Sequence, residues 1–269
     1  MARAIPPSPG YSLIHLTSLH DQATMIGPSS LSVKRRSALS PGPRGPLRRE
    51  PDRDILTHMA LWGIYVHIPF CPYKCAYCDF DSGVYPEPMV SVYLAALREE
   101  IARTSAALSP DDLVADTIYI GGGTPSLLDP EMLGELLRTL RQHFVVRPEA
   151  EVTLEANPGT ITAEKARALR QLGVNRVSLG AQTFSERELR VLGRRHTVEQ
   201  IGESVALLRE AGVENVNLDL IIGIPGQSLR SWEQTMDRAF SLRPTHLSVY
   251  MLEVHEGTPL AAQLARGAL

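Results

Sequence analysis

The sequence predicts an α/β protein organised around a parallel sheet, and three observations predict it. From Gly63 onward, short apolar runs rich in Val, Ile and Tyr alternate with longer segments of helical period. Six such runs are separated by five crossovers long enough to hold a helix, the connection that parallel strands need. Unusual residues gather just past the ends of these runs, where parallel α/β folds place their active sites. Right-handed crossovers leave a barrel, a partial barrel and a doubly wound sheet open.

In chain order, the strand candidates are GIYVHIP (63–69), TIYIG (117–121), EVTLEA (151–156), RVSLGAQ (176–182), NVNLDLII (215–222) and HLSVYML (246–252). Helix candidates lie between them near 88–107, 130–143, 162–172, 185–192 with 198–211, and 228–241. Asp129-Pro130 pairs a cap with a first-turn proline, and Met132, Leu133, Leu136, Leu137 and Leu140 then fall on one face. Ala211-Gly212 marks a helix stop before the fifth strand.

The leader differs in kind. Residues 1–51 hold eight of the twenty prolines and seven Lys or Arg, with Asp21 and Glu50 as their acids. Without apolar periodicity such a segment cannot bury enough to offset its ordering entropy. Residues 1–60 are therefore expected to be disordered, or a leader mis-called upstream of a start at Met59. The acid-poor, Arg- and Ser-containing composition also resembles a transit peptide, although proline is too frequent for a good amphipathic helix.

Composition excludes other classes. A formal net charge of −3 provides no global basic field for nucleic acid. No apolar run approaches the roughly 20 residues that span a bilayer, and the longest, around Leu218 to Ile224, is interrupted by Asp219 and Gly223. A soluble protein with no integral membrane segment is expected. All three cysteines, Cys71, Cys75 and Cys78, fall within eight positions. An odd, clustered set suits a metal in a reducing, cytoplasmic compartment better than disulfides.

The cysteine loop CPYKCAYC follows the first strand candidate and GGGTP (121–125) the second; Glu155 lies in the third, Gln182 after the fourth, Asp219 in the fifth and Glu253 after the sixth. Thiolates bind zinc or iron-sulfur clusters. A structural zinc site is closed by four ligands; His67 could complete a Cys3His set, but strand alternation sends its side chain to one face before the loop has turned. A cubane cluster on three cysteines leaves one iron open, which is useful when something exchangeable binds there. The glycines of GGGTP allow close backbone approach to a ligand, although the same sequence also suits an ordinary tight βα turn. An acid such as Asp219, inside a strand of Leu and Ile, is costly unless paired.

CPYKCAYC, with Tyr77 before the third cysteine, resembles the signature of the radical S-adenosylmethionine (radical SAM) superfamily. The resemblance implies a partial (βα)6 parallel barrel and a [4Fe-4S] cluster on Cys71, Cys75 and Cys78. It also implies S-adenosyl-L-methionine (SAM) chelated to the open iron and cleaved reductively to a 5′-deoxyadenosyl radical. Over 61–269, YVHIPFCPYKCAYCDF, IYIGGGTPSLL, LEANPGT, VSLGAQTF, LGRRHT, NLDLIIGIPGQS and LSVYMLEVHEGTPL are similar to the oxygen-independent coproporphyrinogen III oxidases and the HemW-type haem chaperones. Matching motif to motif implies SAM contacts at Tyr65, Tyr77, Gly122, Gly123, Thr124, Glu155, Gln182, Arg194 and Asp219. Arg194 suits the methionyl carboxylate, Glu155 and Asp219 suit the ammonium or ribose hydroxyls, and the tyrosines suit adenine.

Two departures bear on the branch. The oxidases carry a further cysteine two residues after the third ligand, whereas Asp79-Phe80 follows Cys78 here, as in the chaperones. The resemblance thus implies a haem chaperone with haem as cargo, and an oxygen-independent coproporphyrinogen III oxidase of porphyrin biosynthesis as the alternative. The ending, GTPLAAQLARGAL, stops where relatives continue, so 61–269 is expected to be a radical SAM core without its C-terminal domain. His67, His196 and His255 are the haem-ligand candidates, and the motifs name neither the haem acceptor nor the electron donor.

Overall fold

The computed structural model describes residues 11–14, 31–36 and 61–269. One sheet runs in the order β1-β2-β3-β4-β5-β6-β7-β8. β1 (Tyr11–Ile14) pairs antiparallel with β2 (Leu31–Arg36), which pairs antiparallel with β3 (Leu61–Ile68). From β3 onward every pairing is parallel, through β4 (Val114–Gly122), β5 (Val145–Ala156), β6 (Arg176–Gln182), β7 (Asn215–Ile222) and β8 (His246–Met251). The remaining residues of the leader fall outside the described ones, and so does most of what was expected of 1–60.

Strand order decides among the three architectures. Six parallel strands follow chain order without a reversal, so each right-handed crossover returns on the same side, as in a barrel wall. A doubly wound sheet reverses at its switch point. Neighbouring helices confirm the single outer layer: α1 (Glu87–Ala107) packs on α2 (Pro130–His143), α2 on α3 (Ala163–Gln171), and α3 on α5 (Val198–Glu210). The wall does not close, because β2 occupies the free side of β3 while β8 has no partner beyond it among the described residues. This is the partial (βα)6 barrel.

Burial follows from that layout. Ile118 and Ile120 of β4 belong to one apolar cluster with Leu133, Leu136, Leu137 and Leu140 of α2, all nearly inaccessible. Each such side chain contributes about 1.5–3 kcal/mol by leaving water. The expected five-residue stripe holds, with Met132 at its half-buried margin. α4 (Glu186–Val191) and α6 (Leu229–Ser241) complete the predicted helices, and α7 (Pro259–Ala265) follows. Asp129 occupies the N-cap position of α2 but makes no side-chain cap bond. Its carboxylate instead faces Lys165, whose ammonium is destabilised by burial and partly restored by that charge. Thr197 and Gln200 form a reciprocal capping box on α5. No helix among the described residues is long and apolar enough to cross a membrane.

Candidate functional site

The cysteine loop is tied at both ends and across its middle. At the close of β3, the Gly83 amide donates to Pro69 O (2.9 Å) and the Cys71 amide donates to Gly83 O (2.8 Å). Lys74 Nζ spans the loop to Phe80 O (2.6 Å) and Ser82 O (2.8 Å). Farther along the chain, Leu192 O accepts from the Ala76 amide (2.9 Å), and the Leu260 amide donates to Ala76 O (2.8 Å). Gly193, at φ +69, makes this approach possible, since a Cβ there would stand 2.9 Å from Ala76 N. Arg195 lies over the Tyr73 ring at 4.6 Å. All three thiols are free and partly exposed.

The thiols face a cleft of about 380 Å³ at the carboxyl ends of the strands. Cys71, Cys75 and Cys78 share its lining with Tyr77, Gly122, Gly123, Thr124, Glu155, Gln182, Arg194 and Asp219. Twelve site residues were expected from the sequence, and these eleven converge. Tyr65 does not line the cleft: its ring stacks on cross-strand Tyr119 at 5.9 Å, and its hydroxyl meets His67 Nδ1 at 3.1 Å. The GGGTP glycines also have a local reason. A Cβ on Gly122 would reach within 2.5 Å of the His67 ring, and one on Gly123 within 2.7 Å of Phe70 O and 3.0 Å of Cys71 Sγ. They make room for His67 of β3 and for the start of the cysteine loop. Gln182 is a non-glycine residue at φ +64, a strained conformation held at the lip of β6.

Charges in the wall are buried or half-buried and individually hydrogen-bonded. Glu155 accepts from Tyr119 Oη (2.7 Å) and the Gly122 amide (2.9 Å). Burial still pushes its carboxyl above the ordinary range, against those two donors. Asp219 accepts from Ser178 Oγ and Asn217 Nδ2, both at 2.8 Å, and burial pushes it up as well. Arg194, nearly inaccessible, donates to Asn157 Oδ1 (2.6 Å), to Gly180 O (2.8 Å) and from Nη1 to Cys75 Sγ (3.5 Å). Its Nε has no hydrogen-bond partner. Burial raises the Cys75 thiol, and the adjacent guanidinium opposes that rise.

Three contributors were missed in the sequence. Asn157 links Arg194 to Thr124, donating from Nδ2 to Thr124 Oγ1 at 2.9 Å. Tyr119 and Ser178 hold the two carboxylates. Asn157 follows directly on β5, so the strand-end rule that selected Gln182 could have selected it. Tyr119 alternates with the core-facing Ile118 and Ile120, which put it on the inner face.

The donor set bears on what the site can hold. No three His, Cys, Asp or Glu side chains among the described residues are grouped to hold a single ion. Three thiols facing one cleft, beside a buried guanidinium bound only to neutral acceptors and a thiol, instead suit a larger anionic group of several irons.

The chain matches the radical SAM superfamily over residues 65–239. It is 40% identical over 208 residues to the heme chaperone HemW of Bacillus subtilis, covering 76% of this chain and 54% of that protein. It is 42% identical over 218 residues to HemW of Mycobacterium tuberculosis, covering 77% and 54%. Among solved structures, coproporphyrinogen III oxidase (HemN) from Escherichia coli superposes with a TM-score of 0.68 at 33% identity, over 74% of this chain and 46% of that one. The chain thus spans about half the length of the curated relatives it matches.

Proposed function

Because the chain belongs to the radical SAM superfamily, in its coproporphyrinogen oxidase-like group, we propose that it carries a [4Fe-4S] cluster and SAM and acts as a cytoplasmic haem chaperone. It would bind haem and pass it to an acceptor protein. The observation that carries this reading is the convergence of all three cysteines, a buried cation and two half-buried carboxylates on one cleft.

The residues present fit that cofactor pair. Cys71, Cys75 and Cys78 would hold the cluster, which supplies an iron open to SAM and an electron for it. The unpartnered Nε of Arg194 is a buried donor suited to the methionyl carboxylate. Glu155 and Asp219 offer acceptors for the ammonium and ribose hydroxyls, already oriented by Tyr119 and Ser178. Asp79-Phe80 after Cys78, with Phe80 in place of a further cysteine, together with the relatives named above, favours haem handling over porphyrinogen chemistry.

The test is anaerobic reconstitution with iron and sulfide, followed by absorbance and spin resonance with and without SAM. Haem titration and transfer to an apo-acceptor then run beside a coproporphyrinogen III assay. We expect a SAM-perturbed cluster, one haem bound per chain and no decarboxylation. Complete turnover of coproporphyrinogen III would overturn the chaperone reading in favour of the oxidase.

A further inference from the structure

At the lip of β6 the chain takes a conformation that needs support from outside the strand. The Thr183 amide donates back to Ala181 O at 2.8 Å, closing a three-residue γ-turn around Gln182 at φ +64, the strained form of that turn. Pairing with β7 slips register in the same stretch. Gln182 is thereby brought into the cleft wall, where its side-chain amide makes no hydrogen bond with any described residue. It lies beside Arg194: a Cβ on Gly180 would stand 2.8 Å from Gln182 Nε2 and 3.2 Å from Arg194 Nη2.

Two side chains that do not line the cleft hold this turn. On one side of Gln182, His196 Nε2 donates to Ala181 O at 3.3 Å. On the other, Thr183 Oγ1 donates to Glu188 Oε2 at 2.6 Å.

Glu188, on α4, is nearly inaccessible, and its partners among the described residues are all neutral. Besides Thr183, Ser231 Oγ of α6 donates to Oε1 (2.5 Å) and Gln227 Nε2 donates to Oε2 (3.0 Å). Gln227 Oε1 in turn accepts from the Gly223 amide at 2.8 Å, bracing the turn after β7. That turn carries Ile224, which clusters with Leu192 and Ile221, and Tyr77 of the cysteine loop packs against them. The Arg194 amide donates to Leu189 O at 2.9 Å, so Arg194 leaves directly from the end of the helix that carries Glu188. For stability alone, an apolar side chain would serve such a place better than an acid without a countercharge. A carboxylate can instead gather donors from three separate segments onto one point.

We propose that Glu188 is a positioning residue for SAM. Through Thr183 it holds the turn that keeps the Gln182 amide in the cleft, and through α4 and Gln227 it holds Arg194 and the support of Tyr77 in register with it. The proposal rests on the SAM reading and extends it to a residue outside the cleft.

The experiment uses the reconstituted full chain and reads iron per chain, unfolding stability, and the SAM concentration that half-perturbs the spin resonance signal. Glu188→Leu, similar in size and without acceptors, should load the full cluster yet weaken SAM on the order of tenfold. Glu188→Gln keeps an oxygen for Thr183 and Gln227 and turns its amide toward Ser231 Oγ, so it should recover most of that loss. Leu137→Ala, in α2 and not in the cleft wall, lowers stability by another route and should leave SAM affinity unchanged. A Glu188→Leu chain that loses stability but binds SAM as before would overturn the positioning role and leave the SAM reading standing. Equal weakening of SAM by Leu137→Ala would make the effect one of stability and overturn it too. If Glu188→Leu loads no cluster, Thr183→Val decides, because it withdraws a single hydroxyl: weaker SAM on an intact cluster supports the role, and unchanged affinity ends it. A cluster on the unsubstituted chain that SAM does not perturb would remove the SAM reading and this role together.

Discussion

The two sides of the cleft are built on opposite plans. Around Arg194 the wall is buried or half-buried, and its polar atoms are fixed by Asn157, Gly180, Tyr119 and Ser178. Around His255 and the end of β8, Phe80, Tyr250 and Met251 lie open, and β8 has no strand beyond it among the described residues. Low dielectric and preset donors suit a charged cofactor that must sit in one geometry. An exposed apolar rim suits a large ligand that arrives and leaves. The contrast divides retention from exchange within one cleft.

The strongest way to break that contrast is at the floor. Cys75→Ala should abolish the cluster, with iron falling from about four per chain to near zero after reconstitution. Met251→Ala on the rim should leave iron and sulfide content unchanged. Equal cluster loss in both would erase the distinction. Next, Arg194→Met should cost SAM about 2–5 kcal/mol of binding, because a buried donor is removed from a charged partner. The SAM-induced change in the spin resonance signal measures it, and an unchanged SAM titration would detach Arg194 from the cofactor.

Packing provides a third comparison. Leu137→Ala, in the closed layer between α2 and the sheet, should destabilise the chain by about 2–5 kcal/mol in denaturant unfolding. Val249→Ala on the open strand should stay within about 0.5 kcal/mol of no change. The last comparison is the response to acid. Burial first, and then the neighbouring Arg194, hold His196 down to about 3 from its ordinary 6.5. Between those values the unfolded chain binds the proton that the folded chain refuses, so stability falls as pH drops through that window and is flat above it. The raised carboxyls of Glu155 and Asp219 act in the opposite sense, losing stability as pH rises. The difference between the unsubstituted chain and His196→Gln isolates the histidine, and identical acid profiles would show that it is not buried neutral.

Much of the wall was legible because parallel strands buried on both faces leave dense apolar runs. RVSLGAQ and NVNLDLII are β6 and β7 to the residue. β5 was not, since it starts at Val145, ahead of EVTLEA. The added VVRPEA carries Pro148 and two charges and alternates poorly, and its pairing with β4 shifts register there. Asn157 and Tyr119 were hidden for a different reason: each matters through a partner that sequence spacing does not identify. Tyr65 is similar: its motif names it as a ligand contact, while its stacking on Tyr119 appears in the structure alone.

What the sequence determined by itself is local in origin. Strand period, helix caps and the four- and three-residue spacing of the cysteines depend on neighbours a few positions apart, so they can be read in one dimension. The pairing of Arg194 with Cys75 joins residues 119 apart, and Asp79 reaches His255 across the cleft mouth. Such contacts exist only once the barrel wall curves and α7 is bonded to the cysteine loop. Their strength also comes from burial, which removes competing water, and burial belongs to the fold. The sequence therefore announced which groups carry the chemistry, and the tertiary structure decided which of them share a dry wall and which stand at the door.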